Sequence, residues 1–283
     1  MKMLAFLVTM SAFWFFTGCT NEDDGLNITG PDFPPGSGSI YPIKDVTFPT
    51  VDNIEVRAHY GQQSGPGPHP VVILVHDVGG SSQVFGGLEW LTAGFFEELL
   101  KAGYSPLAID LRGHGDTPYP DDGRDQEFLL ITDLANFYLD VRAALNWLRD
   151  EPSVDASRIA IVGNGAGGNV AYVSMGAFPD DLQAGVALSP GIFDFSTRQP
   201  LIVGENLEDF SPHSMMYLVA EQDVLSVSEN EVLSYAGWAA VMNERTGEPK
   251  DLTVFKDKTA HGLALLEDSD AVDALLGWLE KHL

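Results

Sequence analysis

The feature that most constrains this chain is a repeated alternation of fully apolar strand runs with helical stretches. Residues 71–75 read Val-Val-Ile-Leu-Val, a β-branched run without polar alternation, which is the pattern of a strand covered on both faces. Comparable runs lie at 104–109, around Ile159, and at 184–188, 215–219 and 252–255. Between and after them, stretches of helical period fall at 88–101, 128–149, directly after Gly165, and at 229–243 and 269–282. This alternation predicts an α/β fold: a mostly parallel, doubly wound sheet with right-handed crossovers and helices on both faces. Ahead of it, residues 46–48 and 54–60 alternate apolar and polar around Asp52-Asn53, which predicts an N-terminal antiparallel strand pair, and 61–70 is a turn-rich loop. There is no internal repeat, and no insertion long enough for a large lid.

The start of the chain has a different character. Lys2 precedes an apolar run at 3–16 that falls short of the ~20 residues a membrane-spanning helix needs, so residues 1–18 are expected to be a signal peptide that is removed. Phe16-Thr17-Gly18-Cys19 resembles a bacterial lipobox, which implies export and lipidation of Cys19, with membrane anchoring at the cell envelope. Thr20 follows where an inner-membrane retention signal would have aspartate, so the resemblance implies the outer membrane where the host has one. Cys19 is the single cysteine, which excludes an internal disulfide. Residues 19–40, rich in Asp, Asn, Pro, Gly and Ser, are expected to be a disordered tether, and 41–283 the folded domain. With 41 acidic against 15 basic side chains, the net charge of -26 repels phosphate backbones, and nucleic acid is excluded as a partner.

The chemistry is carried by motifs at strand ends. Residues 159–168 run from a β-branched strand through Gly163-Asn164-Gly165-Ala166-Gly167 into a helix, the setting of the G-x-S-x-G nucleophile elbow, with Gly165 where the serine would stand. His76-Asp77-Val78-Gly79-Gly80 follows the first buried strand in the manner of an H-G-x-G-G oxyanion loop, and Asp110-Leu111-Arg112-Gly113-His114-Gly115-Asp116 follows the next. Glu221-Gln222-Asp223 and Ala260-His261-Gly262 complete the order nucleophile, acid, base. Over residues 71–283 the chain therefore resembles the α/β-hydrolases, in particular their dienelactone-hydrolase and small-esterase branch. The resemblance implies that His261 is the base, Asp223 its orienting acid with Asp194 as second choice, and the backbone N–H groups of Val78 and Ala166 the oxyanion hole.

Gly165 has no side chain to acylate. Asn164 lies on the wrong side of the turn to replace it, and Ser174 is more than two helical turns away. A central elbow residue is strained by about 1–3 kcal/mol unless it is glycine, so loss of the serine also relieves the backbone. Asp77 is a second departure, since a carboxylate pointing inward would oppose negative charge developing in the oxyanion hole. Three readings follow. One is a non-acylating hydrolase-fold protein that binds a small ester-, lactone- or peptide-like ligand, or a protein partner, where the strands end. The second is an active carboxylic-ester hydrolase in which His261 directs a water held in the space the serine side chain would fill. The third takes Gly163, Gly165 and Gly168 as a G-x-G-x-x-G dinucleotide fingerprint, although Leu188-Ser189-Pro190 offers no acidic residue at the end of the next strand. His59, His69, His114, His213 and His282 show no metal-ligand spacing, and neither metal nor cofactor is expected. Trp238, Trp278 and the Phe95-Phe96 pair are expected in the core.

Overall fold

A computed structural model describes residues 42–77, 87–118, 133–194, 196–202, 207 and 209–283. The signal segment, the tether, Cys19 and Val78 lie outside the described residues. An eight-stranded sheet runs in the order β1-β2-β4-β3-β5-β6-β7-β10. β1 (Ile43–Pro49) and β2 (Glu55–Gly61) form the antiparallel pair, turning at Thr50, whose hydroxyl accepts from the Ile54 N–H at 2.8 Å, and β2 joins β4 antiparallel. The other neighbours, β3 (His69–Val75), β4 (Ser105–Ile109), β5 (Val154–Asn164), β6 (Ala184–Leu188), β7 (His213–Ala220) and β10 (Gly247–Phe255), are parallel. This is the mostly parallel, doubly wound α/β architecture that the strand and helix alternation predicts.

Each central strand supplies both cores. Val71, Ile73 and Val75 of β3 face one apolar cluster, with the helices Phe137–Asp150, Ala166–Ala177 and Tyr235–Glu244. Val72 and Leu74 face the other, with the helices Leu88–Thr92, Phe95–Lys101 and Ser269–His282. Successive strand side chains point to opposite faces, so a run apolar at every position is what two buried faces require. Each such Val, Leu or Ile contributes about 1.5–3 kcal/mol on burial. Trp278, Phe95 and Phe96 are buried in the second of these cores, and Trp238 is buried against Phe193. Among the described residues, no helix is long and apolar enough to cross a membrane.

Two elements differ from the sequence reading. The helix expected over 88–101 is two short helices, broken at Gly94, which adopts the left-handed φ of 78° that glycine tolerates. The helix expected over 229–243 starts only at Tyr235. Val224–Ser228 (β8) and Glu231–Ser234 (β9) pair as an antiparallel hairpin instead, and the Ser234 hydroxyl caps the helix by accepting from the Gly237 N–H. The alternation of exposed and half-buried residues in Val-Leu-Ser-Val-Ser and Glu-Val-Leu-Ser has period two, which prevails over helical reading of so short a stretch. In the expected helix 128–149, residues 128–132 lie outside the described residues; Asp133–Asn136 is a 3-10 turn and the α-helix covers Phe137–Asp150.

The chain places β3 and β5 side by side, with β4 on one flank and β6 on the other, so the connections leaving β3 and β5 part in opposite directions. In open sheets of this kind ligands bind where such connections part, at the carboxyl ends of the strands. The register pairs Val75 with Gly163, so Asp77 and Gly165, each two residues further on, emerge at one level.

Candidate active site

Gly165 caps the N-terminus of the helix Ala166–Ala177 with φ 53° and ψ -117°. Its N–H donates to the Leu188 carbonyl at 2.9 Å and its carbonyl accepts from the Gly191 N–H at 3.1 Å, which ties the turn after β5 to the end of β6. A Cβ built on Gly165 would lie closer than 3.0 Å to all three atoms of the Asp77 carboxylate group. The space that a serine side chain would occupy therefore holds that carboxylate. This corrects the expectation of a water there.

Asp77 is held at both ends. Its Oδ1 accepts from the Ala166 N–H at 2.7 Å, so the backbone donor assigned to the oxyanion hole already carries an anion. On the main chain, His76 Nδ1 bonds the Asp77 carbonyl oxygen at 2.6 Å while His76 Nε2 accepts from the Leu111 N–H at 3.0 Å, which makes Nδ1 the protonated nitrogen. Burial, aided by the neighbouring His114, pushes His76 down to about 3, and it stays neutral. The Asp77 N–H donates to Glu89 Oε1 at 3.2 Å, and Asn164 Nδ2 donates to the same oxygen at 2.9 Å. Burial pushes the Glu89 carboxyl up to about 7, against the opposing effect of these two hydrogen bonds.

His261 follows β10, and Asp223 follows β7. His261 Nδ1 meets both carboxylate oxygens of Asp223, at 3.1 and 3.0 Å. Its Nε2 faces Asp77 Oδ2 at 3.9 Å. Asp223 is buried, whereas the His261 side chain is 39% exposed and the Asp77 side chain 25%. Burial disfavours the imidazolium, but the hydrogen bond and charge of Asp223, with Asp77 adding, outweigh it and raise His261 above its ordinary value. The two carboxylates thus favour the protonated form of the imidazole that lies between them.

Three further residues support this pair, a role the sequence reading gave to none of them. Ser189, buried just beyond β6 with φ 43°, donates to Asp223 Oδ2 at 2.7 Å and accepts from the Gly262 N–H at 3.0 Å. Asn164 Oδ1 accepts from the Leu263 N–H at 3.1 Å, so its side chain ties the elbow to the histidine loop. The Tyr235 ring lies 4.4 Å from the imidazole, and its N–H donates to the Asp223 carbonyl at 3.1 Å. Burial, with the charges of Asp223 and Asp77, pushes the Tyr235 hydroxyl up to about 12. The only hint in the sequence was that Ser189 ends a buried strand.

Asp194 is not part of this group. Its carboxylate is exposed and accepts from the Ser196 and Thr197 N–H groups at 2.7 and 2.8 Å and from the Ser196 hydroxyl, bonds that hold it down at about 2. The glycines of the G-x-G-x-x-G pattern have other duties. A Cβ on Gly163 would enter the Gly167 backbone, one on Gly168 would press on Ala187 and Pro190, and the helix N–H that a pyrophosphate would need is taken by Asp77. The Asp110–Asp116 turn is structural. Arg112 is buried on Asp140 at 2.7 Å and reaches Asp52, while Asp110 accepts from the Gly87 and Asp116 N–H groups. The buried His114 bonds the Arg112 carbonyl at 3.1 Å.

Residues 72–271 match the alpha/beta hydrolase family. An uncharacterized protein of Mycobacterium bovis is 27% identical over 154 residues, 54% of this chain, and the chain spans 38% of the length of that relative. Among solved structures, a dienelactone hydrolase from Anabaena variabilis superposes with a TM-score of 0.60 at 18% identity, covering 86% of this chain and 99% of its own. An esterase from Pyrococcus furiosus gives 0.61 at 20% identity, covering 86% and 93%. At these identities the likeness is one of fold.

Proposed function

The chain belongs to the alpha/beta hydrolase family, and from that premise we propose a member that has given up serine acylation and binds a small, uncharged, oxygen-bearing molecule at the strand ends. The observation that carries this reading is the Asp77 carboxylate on the Ala166 N–H, in the space above Gly165. A substrate carbonyl would find no hydroxyl to attack it, and the donor that stabilises a tetrahedral oxyanion is taken. Relatives of the same fold are named as an esterase and a dienelactone hydrolase, which supports an ester- or lactone-like ligand size. A protein partner on the same cleft is the other occupant consistent with an incomplete triad. The Lys2 to Cys19 segment supports export and a lipid anchor on Cys19, in the outer membrane where the host has one; Cys19→Ser, followed by fatty-acid labelling in a bacterial host, tests that part.

The decisive assay for the site is a fluorophosphonate probe beside short-chain aryl esters. The native protein is expected to remain unlabelled and to leave the esters intact, and covalent labelling would overturn the reading. A second reading, ester hydrolysis by water that His261 activates, is favoured by the intact bond between His261 and Asp223. In that case aryl esters turn over without labelling, and His261→Ala abolishes the turnover.

A further inference from the structure

We propose that Tyr235 is the residue that selects the ligand, its hydroxyl donating to the oxygen of an uncharged carbonyl compound bound over the elbow. The proposal rests on the reading that this cleft holds a small, uncharged, oxygen-bearing molecule. It names the side chain that recognises that molecule and the kind of oxygen it recognises.

The Tyr235 ring is held from several sides. Its centroid lies 4.4 Å from that of the His261 imidazole, and the Trp238 indole meets it edge-on at 5.1 Å. Trp238 is stacked on Phe193 at 4.9 Å, and its Nε1–H donates to the Arg198 carbonyl at 3.1 Å, so this wall is itself anchored. A ring packed in this way presents its hydroxyl in a fixed direction, and Gly191 shows which. A Cβ built on Gly191 would lie 3.0 Å from Tyr235 Cε1, the carbon next to the one that bears the hydroxyl. The same Cβ would stand 3.7 Å from the Gly165 carbonyl carbon, whose oxygen accepts from the Gly191 N–H. The phenol end therefore lies at the elbow.

A tyrosine hydroxyl that is mostly buried finds a partner as a rule, as Tyr217 does in the Thr246 hydroxyl at 2.7 Å. The half-buried Tyr235 hydroxyl has no hydrogen-bond partner among the described residues, and it is not sealed from solvent. Burial and the charges of Asp223 and Asp77 keep its proton in place, so it is a standing donor. The Ala166 N–H is taken by Asp77, which leaves this hydroxyl to meet a ligand oxygen at the elbow. The charge of the ligand follows from the same neighbours. Asp77 and Asp223 outnumber the one imidazole between them even when it is protonated, so an ionised acid meets net repulsion. An ammonium group brings no acceptor for the hydroxyl. A neutral carbonyl satisfies both conditions.

The test is titration of the native protein and of Tyr235→Phe with cyclohexanone, a neutral carbonyl compound that has no ester bond to cleave. Dissociation constants are read by saturation-transfer NMR, and the carbonyl stretch of the bound ketone by infrared difference spectroscopy. The variant keeps the ring and its packing, so its melting temperature is expected to equal the native one. Its affinity is expected to be weaker by roughly three- to tenfold, the loss of one neutral hydrogen bond. The stretch, lowered in the native complex, is expected to move back toward its free value in the variant. Cyclohexanecarboxylate, the same ring with an ionised acceptor, is expected to bind the native protein more weakly than the ketone. Equal affinity and equal stretch in the two proteins overturn the proposal, as does tighter binding of the carboxylate. A variant that melts lower shows that the hydroxyl serves the fold, and overturns it too. The two levels separate cleanly: binding that ignores the hydroxyl sinks the role of Tyr235 alone, whereas a native protein that binds no ketone sinks the small-ligand reading beneath it as well.

Discussion

Restoring the serine alone is expected to fail, because Gly165→Ser collides with Asp77. The added Cβ would have to retreat from under 3.0 Å to the 3.4 Å or more of ordinary contact, and the Asp77 carboxylate is the group that must yield. Moving it breaks the charge-assisted bond to the Ala166 N–H, at 2.7 Å, a loss of about 1.5–3 kcal/mol. A side chain at φ 53° adds strain of about 1–3 kcal/mol. The single variant should therefore lose roughly 3–5 kcal/mol, or on the order of 10 °C in melting temperature for a domain of this size. Asp77→Gly together with Gly165→Ser loses the same bond and keeps the strain but no longer has to turn a carboxylate aside, so the double variant should melt no lower than the single one. In the single variant the displaced carboxylate stays beside the site and competes for the Ala166 N–H, whereas the double variant removes it; loss of such a donor typically reduces kcat by about 10²–10³-fold. Stopped assays with a short-chain aryl ester should accordingly show the double variant faster than Gly165→Ser by about that factor, with fluorophosphonate labelling strongest in the double variant. Equal activity in the two variants, or a Gly165→Ser protein that melts higher than native, would refute the assignment of the carboxylate to the serine's space.

The support network and the titrating groups give further expectations. Ser189→Ala leaves the buried Asp223 oxygen and the Gly262 N–H without the hydroxyl between them and should cost about 1–3 kcal/mol in denaturant unfolding; Ser189→Gly should cost less, because φ 43° ceases to be strained. Asp140→Ala removes the fully buried one of the two carboxylates on the Arg112 guanidinium, leaving Asp52, and should destabilise by about 3–5 kcal/mol. Because the folded-state pKa of His261 is raised, the stability it contributes is complete below 6.5 and fades as pH climbs through the higher folded value; melting temperatures should fall across that interval, and less so in Asp223→Asn. Glu89 binds its proton up to about 7 in the folded protein against 4.5 ordinarily, so stability should also decline between those values, and Glu89→Gln should flatten that decline.

What was legible in the sequence was the part that a buried sheet dictates. Residues 71–75 and 184–188 had to be strands because every position is apolar, and the motif at the end of each strand then had to meet the others at one edge. His261 and Asp223 come together for that reason, although 38 positions separate them. The elements misread were short ones. Nothing in Glu231–Ser234 distinguishes a strand from the first turn of a helix until Val224–Ser228 supplies the hydrogen bonds. Ser189, Glu89 and Tyr235 escaped because their roles depend on which loop lies opposite, and no local pattern records that.

The two departures from the family pattern look like independent defects in the sequence, but the pairing of Val75 with Gly163 makes them one. With glycine at both 77 and 165 there would be a gap beneath the imidazole and an unpaired N–H on Ala166. With aspartate and serine together there would be a collision. Aspartate with glycine fills the space and satisfies the donor, so each residue is explained by the other. The same packing argument predicts that related chains carry either a small residue at the position of Asp77 and a serine at that of Gly165, or the pair found here. A natural relative with both aspartate and serine, folded and active on esters, would show that the loop after β3 can turn its carboxylate away, and the coupling of the two positions would then fail.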